Sequence, residues 1–150
     1  MLTVDTNDVQ MYGYVQYMKK KIFLSGPMRG VQRSLGLKWR VDAASYLSEK
    51  FDTLHALRGR EQKESFTDSR AAVARDLADI KNCDILLVND SFENCSMIGT
   101  SMEVFFAYQL HKPVIIFGNA HGEDYWLNYH SHLRVKDLKE ACDVLNRMFS

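Results

Sequence analysis

What this chain lacks narrows what it can be. Lysine and arginine number 19, and so do aspartate and glutamate, so there is no basic excess of the kind that marks a general nucleic-acid binder. No apolar run approaches the roughly 18 residues that cross a membrane, and no signal peptide is visible. The expectation is a cytoplasmic protein with neither nucleic acid nor a membrane as partner. Three cysteines, Cys83, Cys95 and Cys142, are odd in number and lack metal-ligand spacing, which reads as reduced thiols. No repeat, low-complexity tract or linker divides the 150 residues, a length suited to one domain with a substantial core. Neither GxGxxG nor a P-loop is present, so nothing points to a dinucleotide or a triphosphate.

What is present centres on residues 84–117. Ile85 to Val88 is a continuous apolar run with no polar alternation, as in a strand buried on both faces of a parallel sheet. A polar loop from Asn89 to Met97 leads through Gly99 and Thr100 into a helical pattern on Met102, Phe105, Phe106, Gln109 and Leu110. Lys112-Pro113 stops that helix, and Val114 to Phe117 is a second buried run. The unit is βαβ, with Glu103 in the first turn of its helix. Two readings of Glu103 are compatible. Thr100-Ser101-Met102-Glu103 fits a capping box. The same carboxylate also stands at the mouth of a sheet, where open α/β folds bind their ligands.

Residues 1–18 show no convincing period: an added edge strand, an arm onto a neighbouring subunit or a leader all fit. Lys19-Lys20-Lys21 reads as a solvated edge before the strand Ile22–Ser25. The turn Ser25-Gly26-Pro27-Met28-Arg29-Gly30 has glycines that allow backbone to approach a ligand, and Arg29 is a forked cation suited to phosphate or carboxylate. A plain turn with a surface arginine is the alternative. Ser34 to Phe51 is helical by a stripe of Leu37, Val41, Ala44, Leu47 and Phe51, and a short strand follows near Thr53 to Leu57. Arg58 to Ser65 is a charged loop suited to a flap. Asp68 or Ser69 caps a helix to about Asn82, with Ala72, Val73, Leu77 and Ile80 as its apolar face. Asp76 lies on that face and Asp79 reads as solvent-facing. Asp76 is either a salt-bridge partner of Arg75 or Arg29, or a functional carboxylate.

After Gly118 to Gly122 comes an aromatic segment, Asp124 to His132, readable as a short helix or lid. His121, His130 and His132 read as scattered surface histidines and not as a metal site. Leu133 to Val135 is an edge strand. Asp137 to Glu140 is a second capping box, opening a last helix on Leu138, Ala141, Leu145 and Met148. The alternation predicts a single α/β domain, a three-layer sandwich around a mostly parallel five-stranded sheet of flavodoxin-like order 2-1-3-4-5. That order puts the switch point between the first and third strands. The turn Gly26–Gly30, the loop after Val88 and Glu103 then share one crevice.

With KIFLSGPMRG, ARDLADIKNCDILLVND and GTSMEVFFAYQLHKPVIIF in view, the chain resembles the nucleoside 2-deoxyribosyltransferases and the related 2'-deoxynucleoside 5'-phosphate N-hydrolases. The resemblance spans most of residues 21–117. It implies cleavage of the N-glycosidic bond of a deoxynucleotide or deoxynucleoside, with no metal and no organic cofactor, in a homo-oligomer. Glu103 falls on the family's nucleophile and Asp76 on the aspartate that handles the proton of the leaving base. Substrate contacts are implied for Ser25, Gly26, Met28, Arg29, Gly30, Asn89, Asp90, Gly99, Thr100 and Ser101. Arg29 and Gly30 favour a 5'-phosphate and hydrolysis; base exchange between nucleosides is the alternative. Met97, where the transferases carry an aspartate, and VFFAY after Glu103 motivate a third reading, a nucleotide-binding or sensing module without turnover.

Overall fold

The structure, a computed structural model, describes residues 18–61 and 68–150. The expectations for residues 1–17, and for the flap beyond Glu61, lie outside the described residues. Five strands alternate with helices: β1 (Lys20–Ser25), α1 (Arg33–Leu47), β2 (Phe51–His55), α2 (Ser69–Asn82), β3 (Ile85–Asn89), α3 (Ile98–Gln109), β4 (Val114–Phe117), α4 (Tyr125–Tyr129), β5 (Leu133–Val135) and α5 (Leu138–Met148). They form one sheet in the order β2-β1-β3-β4-β5, as expected, and every pairing is parallel. Ile22 sits opposite Ile85, Leu86 opposite Val114 and Ile115 opposite Leu133.

The continuous apolar runs are what an inner parallel strand requires, since helices cover both faces. Alternate residues of β1, β3 and β4 feed two cores. Ile22, Leu24, Ile85, Leu87 and Ile115 meet Trp39, Ala43 and Leu47 of α1 and Ala141 and Leu145 of α5. Phe23, Leu86, Val88 and Ile116 meet Ile80, Val104, Ala107 and Leu127 from α2, α3 and α4. These are the three layers the alternation predicts.

The helices exist where periodicity puts them, but several are turned. On α1 the buried residues are Gly36, Trp39, Arg40, Ala43 and Leu47, while Val41 is 55% exposed and Phe51 opens β2. The stripe is thus out of phase by one residue, about 100° of rotation. β2 accordingly runs from Phe51 to His55 and not from Thr53 to Leu57. Val73 on α2 and Met148 on α5 face solvent. On α3, Thr100, Val104 and Ala107 are buried and Met102, Phe105 and Leu110 point outward, because the helix lies on the sheet by its small residues.

Caps follow local chemistry where the side chains are placed for it. The Asp68 side chain accepts from Arg70 N–H and Ala71 N–H at the start of α2. Asp137 accepts from Glu140 N–H at 2.9 Å, while the Glu140 carboxylate accepts from Lys136 N–H at 3.0 Å. The box expected at Thr100–Glu103 does not form. α3 begins earlier, at Ile98, with no side-chain cap, and Ser101 N–H already donates to Met97 O at 2.8 Å. Glu103 therefore lies in the second turn and caps nothing. Lys19 and Lys20, expected as a solvated edge, donate to Ser48 O and Phe149 O, the carbonyls just past α1 and α5.

Candidate active site

Parallel strands end together, so the C-terminal ends of β1 and β3 open a crevice where the sheet's order reverses. Ser25, the last residue of β1, is buried, and its hydroxyl donates to Glu103 Oε1 at 3.2 Å. The second glutamate oxygen, Oε2, is shielded from solvent and has no hydrogen-bond partner among the described residues. Asp76 comes from the middle of α2. Its Oδ1 is likewise buried without a hydrogen bond, and Arg75 Nε lies 4.0 Å away. The Arg75 fork itself donates to Ala56 O and Arg58 O, tying the chain after β2 to α2. Asp79, expected to face solvent, is bonded by both Nη atoms of Arg58, because the chain after β2 folds back over α2.

Burial dominates the electrostatics. It pushes the Glu103 carboxyl up to about 8, the Asp76 charge adds to the rise, and the Ser25 hydroxyl and Arg40 oppose it. Asp76 is raised too, first by burial and then by Asp79, against Arg75, Arg60 and Arg58. A buried carboxyl whose ionisation a neighbouring carboxylate disfavours leaves the two suited to divide the roles of nucleophile and proton carrier.

Arg40 had no place in the reading of the sequence. It is 1% exposed, donates to Gly36 O at 2.6 Å and Gly26 O at 3.0 Å, and stacks on Trp39 at 4.7 Å. Burial lowers it to about 10, so it stays charged at neutral pH. An arginine inside an amphipathic helix normally reads as surface, so the sequence held no signal for it. His55 at the end of β2 is pushed down to about 4, by burial and then by Arg40.

The rim is formed by two loops docked on each other. Gly30 has φ +88°, and a Cβ there would stand 3.0 Å from Cys95 Cα. Ser96 N–H donates to Arg29 O at 3.0 Å, and the Arg29 residue is exposed. Met28 is partly exposed beside Arg60, whose Nη2 is 3.5 Å from the sulfur. Gly26 is required by Trp39, which a Cβ would meet at 2.9 Å.

The other expected contacts divide. Asn89 Oδ1 accepts from Ser91 N–H and Oγ–H. Asp90 is wholly buried, with its oxygens committed to His121 and to Arg134 at 2.8 Å. Thr100 is buried, Ser101 is half-buried and Gly99 is exposed. Of the histidines expected on the surface, His132 is exposed with Nδ1 accepting from Val114 N–H, His121 is partly exposed and bonds Asp90, and only His130 is buried, against Trp126 and Tyr108. Among the described residues no group of three His, Cys, Asp or Glu could hold a metal, and no helix is long and apolar enough to cross a membrane. A cavity of about 330 Å³, lined by Ser101, Met102, Phe105, Trp126, Leu127 and His130, lies on the side of α3 away from Glu103.

The raised Glu103 carboxyl has a consequence for stability. A folded value above the unfolded 4.5 makes the protonated form the stabilising one; that stability is complete below about 4.5 and is lost as pH rises through about 8. Glu103→Gln removes the penalty. Thermal unfolding of the variant should therefore exceed that of the native protein at pH 9, with the gap closing toward pH 5.

No family model and no curated protein matches this sequence. Solved structures do. A 2-deoxyribosyltransferase from Bacillus psychrosaccharolyticus superposes with a TM-score of 0.66 at 20% identity, covering 82% of this chain and 90% of its own. The CMP N-glycosidase of Clostridium botulinum gives 0.58 at 21% identity, over 85% and 98%. A 2-deoxyribosyltransferase from Leishmania mexicana gives 0.53 at 18%, over 67% and 65%. The parallel sheet of order 2-1-3-4-5 with its covering helices is thus a fold this chain shares with 2-deoxyribosyltransferases and a CMP N-glycosidase.

Proposed function

We propose that the protein is an enzyme that cleaves the N-glycosidic bond of a 2'-deoxynucleoside 5'-monophosphate, with Glu103 as nucleophile. The observation that carries this is the pair of buried carboxyls, Glu103 and Asp76, each with an oxygen lacking a hydrogen-bond partner among the described residues. The deoxyribosyltransferase and CMP N-glycosidase neighbours support the same chemistry. The ionised Glu103 attacks C1', the C1'–N bond breaks, and its electron pair leaves with the base. Asp76, in its protonated form, delivers the proton that makes the base neutral. The charge building on the sugar is oxocarbenium-like, and the resulting ester on Glu103 is opened by water, whose proton passes to the Asp76 carboxylate as its hydroxyl joins C1', returning the Glu103 carboxylate and releasing the sugar phosphate. The Ser25 hydroxyl holds Oε1, so the free oxygen Oε2 is the attacking atom. Arg29, at the mouth, pairs with the 5'-phosphate as a charge-assisted fork. Base exchange is the second reading, favoured by the transferase neighbours; there a second base replaces water at the ester.

This reading extends to association of two or more copies. α3 exposes Ile98, Met102 and Phe105, and its one charged residue is Glu103, turned into the site. Trp126, Tyr125 and Tyr129 of α4 continue that uncharged face. Single exposed apolar residues need no partner, but a contiguous patch does.

Four outcomes follow. In an assay for free base, Glu103→Gln folds and binds nucleotide but loses release by orders of magnitude, since an amide cannot form the ester. Native release rises with pH as Glu103 loses its proton and falls again as Asp76 loses the proton it delivers, a bell-shaped profile; release by the glutamine variant at the native rate overturns the mechanism. Arg29→Ala loses the preference for monophosphates over nucleosides, at a cost of about 1.5–3 kcal/mol in kcat/KM. Sedimentation velocity of the native protein shows a species larger than one chain, and Met102→Glu with Trp126→Glu returns it to a monomer.

A further inference from the structure

The two oxygens of Glu103 are not equivalent. Oε1 accepts from the Ser25 hydroxyl at 3.2 Å, while Oε2 has no hydrogen-bond partner among the described residues. Ser25 is 1% exposed and ends β1, opposite Val88 of β3. The carbonyl of the next residue, Gly26, accepts from Arg40, and the Trp39 ring stands too close to Gly26 for any side chain there. Glu103 is anchored as firmly, since Thr100, Val104 and Ala107 on either side of it are buried. Held from both ends, the Ser25 hydroxyl stays on Oε1. We propose that Ser25 sets the sugar specificity of this site: its hydroxyl covers Oε1 and so selects 2'-deoxyribose over ribose. This rests on the reading of Glu103 as nucleophile.

Stereochemistry connects the hydroxyl to the sugar. In a β-nucleotide the base stands on one face of the ring, so the carboxylate that expels it arrives from the other. Ribose carries its 2'-hydroxyl on that attacked face, next to C1'. As Oε2 closes on C1', the planar carboxylate brings Oε1 alongside C2', and the Ser25 hydroxyl with it. A ribose hydroxyl must then displace Ser25 from Oε1 or stay unpaired itself. Either way a polar group is left buried without a partner, the kind of penalty by which a site separates substrates differing in one hydroxyl. Deoxyribose, with only hydrogen at C2', incurs none of it. Arabinose has its 2'-hydroxyl on the base's face, away from Oε1, and so escapes Ser25 as deoxyribose does.

The test compares release of the same base from its deoxyribose, ribose and arabinose monophosphates, for each common base in turn, by the full-length protein and by Ser25→Ala. The native protein should favour deoxyribose over ribose in kcat/KM. In Ser25→Ala the rate on deoxyribose falls, because Oε1 loses its donor, while the ribose 2'-hydroxyl supplies the missing bond. The deoxyribose-to-ribose ratio should therefore shift toward ribose by about tenfold or more. The deoxyribose-to-arabinose ratio should stay at its native value, which a general loosening of the site would not spare. Ser25→Thr, which keeps the hydroxyl, should keep the native preference. Thermal unfolding reports separately on the fold. Equal native cleavage of deoxyribose and ribose overturns the proposal, as does a folded Ser25→Ala with the native ratio, which would turn Oε1 toward the ring oxygen instead. So does an equal shift for arabinose, or failure of both variants to fold, which would make Ser25 structural only. In each of these the proposed function stands as long as the native protein releases base. Native protein that releases base from none of the nucleotides overturns that function, and the role of Ser25 with it.

Discussion

Taking a carboxyl group out of water costs free energy, and at Glu103 a single hydroxyl hydrogen bond is the only direct compensation among the described residues. Much of the surrounding structure is arranged about that imbalance. The end of β1 supplies Ser25, α2 supplies a second carboxyl and α1 supplies a buried cation that stops short of contact. The chain holds an unfavourable arrangement because the sheet and its two cores outweigh it, which is how strained or desolvated groups persist at functional sites.

The parallel sheet explains why the imbalance sits where it does. Every strand of a parallel sheet delivers its C-terminus to one edge, so the loops after β1, β2, β3 and β4 gather there. Charge gathers with them. Arg58 pairs with Asp79, while Arg75, Arg60 and Arg58 favour the ionised form of Asp76 against the burial that raises it. The far side of α3 is the opposite: aromatic, uncharged and joined to α4 through Phe105 and Tyr108, whose rings pack on His130.

The fold was readable because the signals for it are coarse. Ile85–Val88 and Val114–Phe117 announce inner strands by having no polar residue at all, and right-handed crossovers then leave one economical strand order. The phase of each helix was not readable. Val41, Val73, Met102 and Phe105 are apolar and were assigned inward, but α1 and α3 approach the sheet by Gly36, Ala43, Val104 and Ala107, whose small side chains permit close contact. That choice depends on the partner surface, which periodicity does not contain. The site shows the same division. Asp76 stood out as a carboxylate on an apolar face and Glu103 as one at the mouth of the sheet, while the capping box over Glu103 was a local pattern overridden by the earlier start of α3. Arg40 was invisible, because only the folded crevice makes a buried cation worth its cost.

The central place of β1 bears on how the molecule comes together in time. Its partners are β2 on one side and β3 on the other, so the first strand is not completed until a segment some sixty residues later has been made. Pairings of such long sequence separation close late, since loop entropy must be overcome before contacts reward it. The hydroxyl of residue 25 meets the carboxylate of residue 103 later still. On a growing chain, half the sheet waits as unpaired edges while Glu103 remains hydrated. Its desolvation belongs to the closing steps of folding, when enough core exists to bear it.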